Sequence, residues 1–439
     1  MKKIMLSTLC MLSLTSFAQE VNKKSLDSLF THLNQQKIGA GSVSIFKNGK
    51  EVYANSYGNR DYENSLINNT ETKFRIGSIS KTFTATLILK LIEENKLSLD
   101  TKLSKFYPKV LNSDKITIKD LLQHTSGIHN ITDDVDYDSW LSTDFTKEEL
   151  LSKIYNLKSD FDPSSEEGYS NPNYILLSFI IEDVTKKSYK DALQKYITTP
   201  LGLKNTKVGG KILDQKNEAK SYQYINNNYV LQPETSMSIP LGAGFIVSTS
   251  SDLNKFMYSL LSGKILKEST LQLMKKINET AGLGLFKDTA DSSIGFGHTG
   301  GIDGFSSYSF CFDNNEFCYS FIKNVDEYST SDLKNNLFNA THSKNISIPT
   351  KSTSFAVSNE VLKQYTNDYS SVEIPVTVKF FIENNNLMAQ ATGQRAFPLS
   401  ATSNTEFEFA AAKIKIVFEE NGNKMNLIQN GKTFNFNKN

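Results

Sequence analysis

Ser78-Ile79-Ser80-Lys81 puts a hydroxyl and an amine three residues apart at the start of an apolar helical stretch. Positions i and i+3 of a helix share a face, so the two groups can meet. A serine alcohol holds its proton near neutral pH and is a weak nucleophile. An amine in hydrogen-bond reach can remove that proton once burial has left it partly neutral. The pair therefore predicts nucleophilic catalysis through a covalent intermediate on Ser78. A helix N-terminus there would also favour the developing negative charge. The tetrapeptide alone is a cheap pattern, since Ser331-Asp332-Leu333-Lys334 repeats it. It also has a structural reading, with Ser78 as an N-cap worth about 1 kcal/mol and Lys81 as a solvated first-turn residue.

The surrounding chain must position the pair. Residues 24–36 read as an amphipathic helix, and Ser42 to Tyr57 as a hairpin turning at Lys47-Asn48-Gly49-Lys50. Ser78 to Lys96 is helical in period through Phe83, Leu87, Leu91 and Ile92. The region from about 100 to 235 is rich in helical segments: Ile118–His124, Lys147–Tyr155, Tyr174–Val184 and Tyr189–Ile197. Polar loops join them, acidic at Thr132–Asp138 and Asp160–Glu167. Strand character returns in Ser306–Phe312 and Phe317–Lys323, and Ser329–Ser343 closes as a helix. This order predicts one antiparallel sheet completed by both ends of a domain, flanked by helices, with a helical lobe between. Residues 346–358 read as a linker. Residues 359–439, with short strands and regular turn signals, read as a small antiparallel β domain.

Residues 1–18 have the form of a secretory signal: basic Lys2 and Lys3, a short apolar run, and small residues at Ser16 and Ala18. Cleavage after Ala18 would release a periplasmic or secreted protein. Without Lys2 and Lys3, 46 basic residues face 47 acidic ones, so no electrostatic footprint for nucleic acid or an anionic membrane is present. No later stretch is apolar for long enough to span a bilayer. Oligomeric state is not legible. Cys311 and Cys318 flank a hairpin tip. They read equally as a cross-strand disulfide, worth roughly 2–3 kcal/mol for so short a loop, or as two buried thiols. Two cysteines without neighbouring histidines lack the ligand count for a metal.

Five segments recur in order: Phe74-Arg75-Ile76-Gly77 leading into Ser78, Ile118 to Ile128 around His124, Gly168-Tyr169-Ser170-Asn171, Gly242 to Thr249, and Gly297-His298-Thr299-Gly300-Gly301. The series resembles the serine β-lactamase and penicillin-binding protein superfamily, of which Ser-x-x-Lys is a signature. The similarity is to the branch holding class C β-lactamases, D-alanyl-D-alanine carboxypeptidases, D-aminopeptidases and related esterases, and it covers about residues 25–345. Residues 365–399 further resemble the small β-barrel appended to many such hydrolases.

The resemblance implies that Ser78 is the acylated nucleophile and Lys81 the proton relay. Tyr169 would act as a partial phenolate. Asn171 would steady Lys81 and bind the substrate amide. His298, Thr299 and Gly300 would line the cleft edge on a strand, and the backbone N–H groups of Ser78 and Gly301 would form the oxyanion hole. No cofactor or metal is implied. His298 stands where lysine, a permanent cation able to hold a substrate carboxylate, is commonest; a histidine of ordinary pKa is only about a quarter protonated at pH 7, which weighs against efficient β-lactamase activity and leaves peptidase and esterase readings open. The implied substrates are small peptides, esters or β-lactams. A D-Ala-D-Ala carboxypeptidase, a D-amino-acid peptidase or a small esterase fits best. The alternatives are a class C-like β-lactamase and a non-catalytic penicillin-binding or sensor protein of the same fold. His124 reads as a structural loop residue, and His32, His129 and His342 as surface residues.

Overall fold

A computed structural model describes residues 20–439 except 135, 226–227, 351–354, 384, 393–395 and 430. The predicted leader, residues 1–18, lies outside the described residues. The elements that matter for the site are α1 (Lys23–Gln36), β1 (Ala40–Lys47), β2 (Lys50–Tyr57), α2 (Ser80–Glu93), α3 (Asn171–Thr185), α4 (Ser250–Leu261), β3 (Phe286–Ala290), β4 (Ser293–Ile302), β5 (Phe305–Phe312), β6 (Phe317–Val325) and α5 (Thr330–Thr341).

The sheet runs β3-β4-β5-β6-β1-β2, antiparallel at each of these pairings. Its two faces are covered by different layers. On one face α1 and α5 enclose Leu29, Phe30, Tyr319, Phe321 and Leu337. On the other, α2, α3 and α4 share the largest core. Two-sided burial explains why β6 is buried along its whole length, its polar Ser320, Lys323 and Asn324 included. A hairpin, Tyr222–Ile225 with Asn228–Leu231, joins β6 through Tyr222 opposite Val325. The helical reading of residues 100–235 missed this hairpin, which supplies few residues to any core.

α2 is buried on nearly all sides. Its polar residues are satisfied by flanking loops rather than by water: Thr82 donates to Gly284 O at 2.9 Å and Thr84 to Gly242 O at 2.7 Å. This is how a helix with threonines at alternate positions can occupy a protein interior. The decoy Ser331–Lys334 lies on α5, where Lys334 is drawn to Asp288 at 3.2 Å rather than to a serine.

Cys311 sits opposite Cys318 in the β5–β6 register, and the two sulfurs are bonded. Nine strands between Asn367 and Lys438 form a second antiparallel sheet that curls into a nearly closed barrel around Tyr369, Phe380, Phe407 and Phe418. Lys413 of this sheet pairs with Asp332 on α5. Among the described residues no helix is long and apolar enough to cross a membrane.

Candidate active site

Ser78 occupies a 3-10 turn, Gly77–Ile79, that runs directly into α2. Gly77 has φ +50°, and a Cβ there would lie 2.8 Å from Gly301 N. Only glycine allows both that backbone and that approach. A Cβ on Gly300 would meet Ile76 O at 2.1 Å and Ser78 N at 3.0 Å. The two glycines let β4 press against the turn, so the backbone around Ser78 and Gly301 is brought together.

Lys81 is fully buried. Its Nζ lies 3.0 Å from Ser78 Oγ, donates to Asn171 Oδ1 at 2.7 Å and donates to Ala243 O at 2.9 Å. Among the described residues it makes no ion pair, and burial holds its pKa well below the usual lysine range. The solvated reading of Lys81 is thereby excluded.

Tyr169 stands in the loop before α3 and donates from its hydroxyl to Ser78 Oγ at 2.7 Å. The residue as a whole is 40% exposed along the cleft. Desolvation of the hydroxyl outweighs the Ser78 hydrogen bond and raises the phenol above its ordinary pKa. A partial phenolate in the free protein is thus corrected to a neutral phenol. Asn171 begins α3, with Pro172 behind it in the first turn, where a missing N–H costs nothing. Its Nδ2 points to Asn130 Oδ1 at 3.1 Å and Thr132 Oγ1 at 3.3 Å. The amide N–H expected to be open to substrate is therefore engaged within the protein.

The sequence reading missed the partners that fix these groups. Asn130 and Thr132 orient Asn171, and the Ala243 carbonyl orients Lys81. His124 is 2% exposed, stacks on Tyr169 with ring centroids 4.5 Å apart, and accepts from Ser170 N at Nδ1 (3.1 Å). Its φ of 59° puts it in the left-handed region inside a buried loop. Asp120 ties that loop down, accepting from Thr125 Oγ1 and Ser164 Oγ. Arg75, 2% exposed, donates to Asp303 Oδ2 at 2.7 Å and to Glu234 Oε2 at 2.9 Å. It thereby anchors the turn that follows Gly301.

His298 lies on β4 and is 3% exposed. Nδ1–H donates to Thr299 O, and Nε2 is buried without a partner among the described residues. Burial, reinforced by Lys81, pushes its pKa down to about 3. The imidazole, expected to be about a quarter protonated at pH 7, is therefore neutral there. The unfolded chain binds a proton at this residue below about pH 6.5, while the folded one does not until about pH 3. Stability contributed here rises with pH through that window, by up to about tenfold in the folding constant per pH unit. His298→Gln should flatten the slope of urea-unfolding stability between pH 4 and 6; an unchanged slope would show a solvated imidazole.

A cavity of about 240 Å³ is lined by Ser78, Tyr169, Asn171 and Gly301, with Ile131, Ile175 and Ile239 among its apolar walls. Thr299 is exposed and Gly300 half-buried on the same strand, but neither they nor His298 belong to these walls. Among the described residues no cluster of His, Cys, Asp and Glu could hold a metal ion.

The Beta-lactamase family model matches residues 26–340. Teichoic acid D-alanine hydrolase of Staphylococcus aureus is 30% identical over 236 residues, 53% of this chain and 58% of the relative. The chain thus matches little more than half the length of that curated relative. D-amino acid amidase from Ochrobactrum anthropi SV3, solved with L-phenylalanine amide, is 25% identical with a TM-score of 0.60 over 69% of this chain and 91% of its own. The octameric penicillin-binding protein homologue from Pyrococcus abyssi superposes over 94% of this chain and 99% of its own, with a TM-score of 0.63. At 21% identity that likeness concerns the fold.

Proposed function

The chain belongs to the Beta-lactamase family, and from that premise we propose that it is an exported serine hydrolase. It acts through an acyl-enzyme on Ser78, with small D-amino-acid amides, peptides or esters as substrates. The observation that carries this reading is Ser78 Oγ held between Lys81 Nζ and Tyr169 Oη on the wall of a cleft. The named relatives support the substrate class, one a D-alanine hydrolase and one a D-amino acid amidase.

The hydrogen bonds assign the protons. A neutral amine has two N–H groups and one lone pair. Asn171 Oδ1 and Ala243 O can only accept, so they take both N–H groups. The lone pair is left for the Ser78 hydroxyl. Lys81 thus removes the serine proton as Oγ attacks the carbonyl carbon. The backbone N–H groups of Ser78 and Gly301 receive the oxyanion, each such donor being worth roughly 3–4 kcal/mol in the transition state. Tyr169, a neutral donor against Ser78 Oγ, gives its proton to the leaving nitrogen or oxygen. Water then attacks the ester and gives a proton to the Tyr169 phenolate, and Lys81 returns its proton to Oγ as that oxygen leaves, which frees the acid and restores both residues. A neutral His298 favours amides and esters over substrates whose leaving group carries a carboxylate.

The test is intact-mass analysis of the mature protein after a fluorophosphonate probe. One adduct per chain, lost in Ser78→Ala, is the expected result. A folded wild-type protein that takes up no adduct would overturn the proposal.

A further inference from the structure

The cavity wall contains one charged side chain, Asp133. It follows Thr132 in the loop that also supplies Asn130, and it is exposed to the cleft. Its position is fixed through the catalytic network. Asn130 Nδ2 donates to Asp133 Oδ1 at 3.0 Å, while Asn130 Oδ1 accepts from Asn171 Nδ2 at 3.1 Å. Asn171 in turn accepts from Lys81. The carboxylate thus belongs to the same hydrogen-bonded chain as the nucleophile.

Burial raises the pKa of Asp133 against the Asn130 hydrogen bond and the more distant His129, and no cation touches the carboxylate among the described residues. Neighbouring Asp134 and Asp160 both face His129, at 3.3 and 2.8 Å, whereas Asp133 makes no ion pair among the described residues. The loop that supplies it, Thr132–Asp138, carries four carboxylates and no lysine or arginine. The cation that could have balanced them from β4, His298, is neutral at neutral pH. Ile131, Tyr137, Ile175 and Ile239 are its apolar or aromatic walls. A cavity with one carboxylate, no cation in its walls and a lining divided between polar and apolar groups is complementary to a small cation beside a hydrocarbon group.

We propose that Asp133 selects acyl donors bearing a free α-ammonium group, holding that cation in the cavity while Ser78 attacks the adjoining carbonyl. The inference rests on the hydrolase reading above and fixes the polarity of its substrate: the amino acid is the acyl half, and its nitrogen is unblocked. An N-acylated amino acid loses the charge and leaves Asp133 unpaired against an uncharged amide. Asp133 is half in solvent, so the pairing is worth about tenfold in affinity.

The experiment measures protection of Ser78 from the fluorophosphonate by D-alaninamide and by N-acetyl-D-alaninamide at pH 7. The unblocked amide should halve the labelling rate at about one-tenth the concentration of the acetylated one, or lower. Asp133→Asn, which keeps the Asn130 acceptor, should erase the difference. Asp136→Asn, in the same loop but outside the cavity wall, should retain it, which separates a local contact from the field of the acidic mouth. Equal protection by the two amides, better protection by the acetylated one, no protection by either, or a preference that survives Asp133→Asn would each overturn the proposal. Failure of the probe to label Ser78 at all would instead remove the hydrolase reading on which it stands.

Discussion

Ser78→Ala is expected to lose turnover by about a million-fold, the scale seen when a catalytic serine is removed from a hydrolase, while its melting temperature moves by only a few degrees. The hydroxyl is half-buried and accepts one hydrogen bond, from Tyr169, while its own proton is directed at Lys81. Its removal leaves Lys81 with both carbonyl acceptors, so the native fold loses about 1 kcal/mol. The remaining activity should equal that of the oxyanion donors and the cavity alone. Steady-state rates on a D-amino-acid amide, with thermal melts of the same preparation, measure both quantities. Turnover within tenfold of wild type would show that another group is acylated, or that none is.

Lys81→Met separates the base from the nucleophile. Methionine keeps the length and apolar body of the side chain but cannot accept a proton. We expect kcat/KM to fall by at least about a thousand-fold, the upper part of the range for general-base catalysis. Labelling of Ser78 by the fluorophosphonate should slow in parallel. A base acts when unprotonated, so the wild-type rate should rise with pH through the depressed pKa of Lys81, and that limb should vanish in the variant. Stability supplies an independent reading. Between the folded pKa of Lys81 and about 10.5 in the unfolded chain, only the unfolded state holds the proton, so wild-type stability rises with pH there. The methionine variant should lack this slope. It also leaves Asn171 Oδ1 and Ala243 O without their donor, at a cost of about 1–3 kcal/mol per buried acceptor. Near-normal rates in Lys81→Met would sink the proton relay.

The parts of this site that could be read from residues are those whose chemistry is local. Ser78 and Lys81 lie three residues apart on one continuous helical run, so their spacing allows them to meet and the surrounding segments single them out. Tyr169 and Asn171 lie just before and at the start of α3, and His298 sits on a strand as the family resemblance implied. What escaped reading depends on contacts between distant loops. Asn130 looks like any polar loop residue until it is seen to orient Asn171. Asp133 looks like one more surface carboxylate in an acidic run. The protonation states of Tyr169 and His298 escaped for the same reason. They are set by burial, and burial is a property of the assembled molecule rather than of a motif. The hairpin at Tyr222–Leu231 went unseen because its residues neither alternate cleanly nor supply a core.

The pairing of β1 with β6 bears on when this molecule can exist at all. Ala40 lies opposite Val325, and β1 stands between β2 and β6 in the finished sheet. During synthesis β1 can find β2 at once, but its other edge has no partner until β6 has been made. The buried strand β6 is among the last pieces of the family domain to emerge. A nascent chain therefore holds an open strand edge through most of its elongation, and its folding is governed by long-range closure. Under the proposed export this delay would be useful, because a chain that cannot close its sheet early stays threadable through a translocation pore. The same delay makes it a client for chaperones that cover unpaired edges.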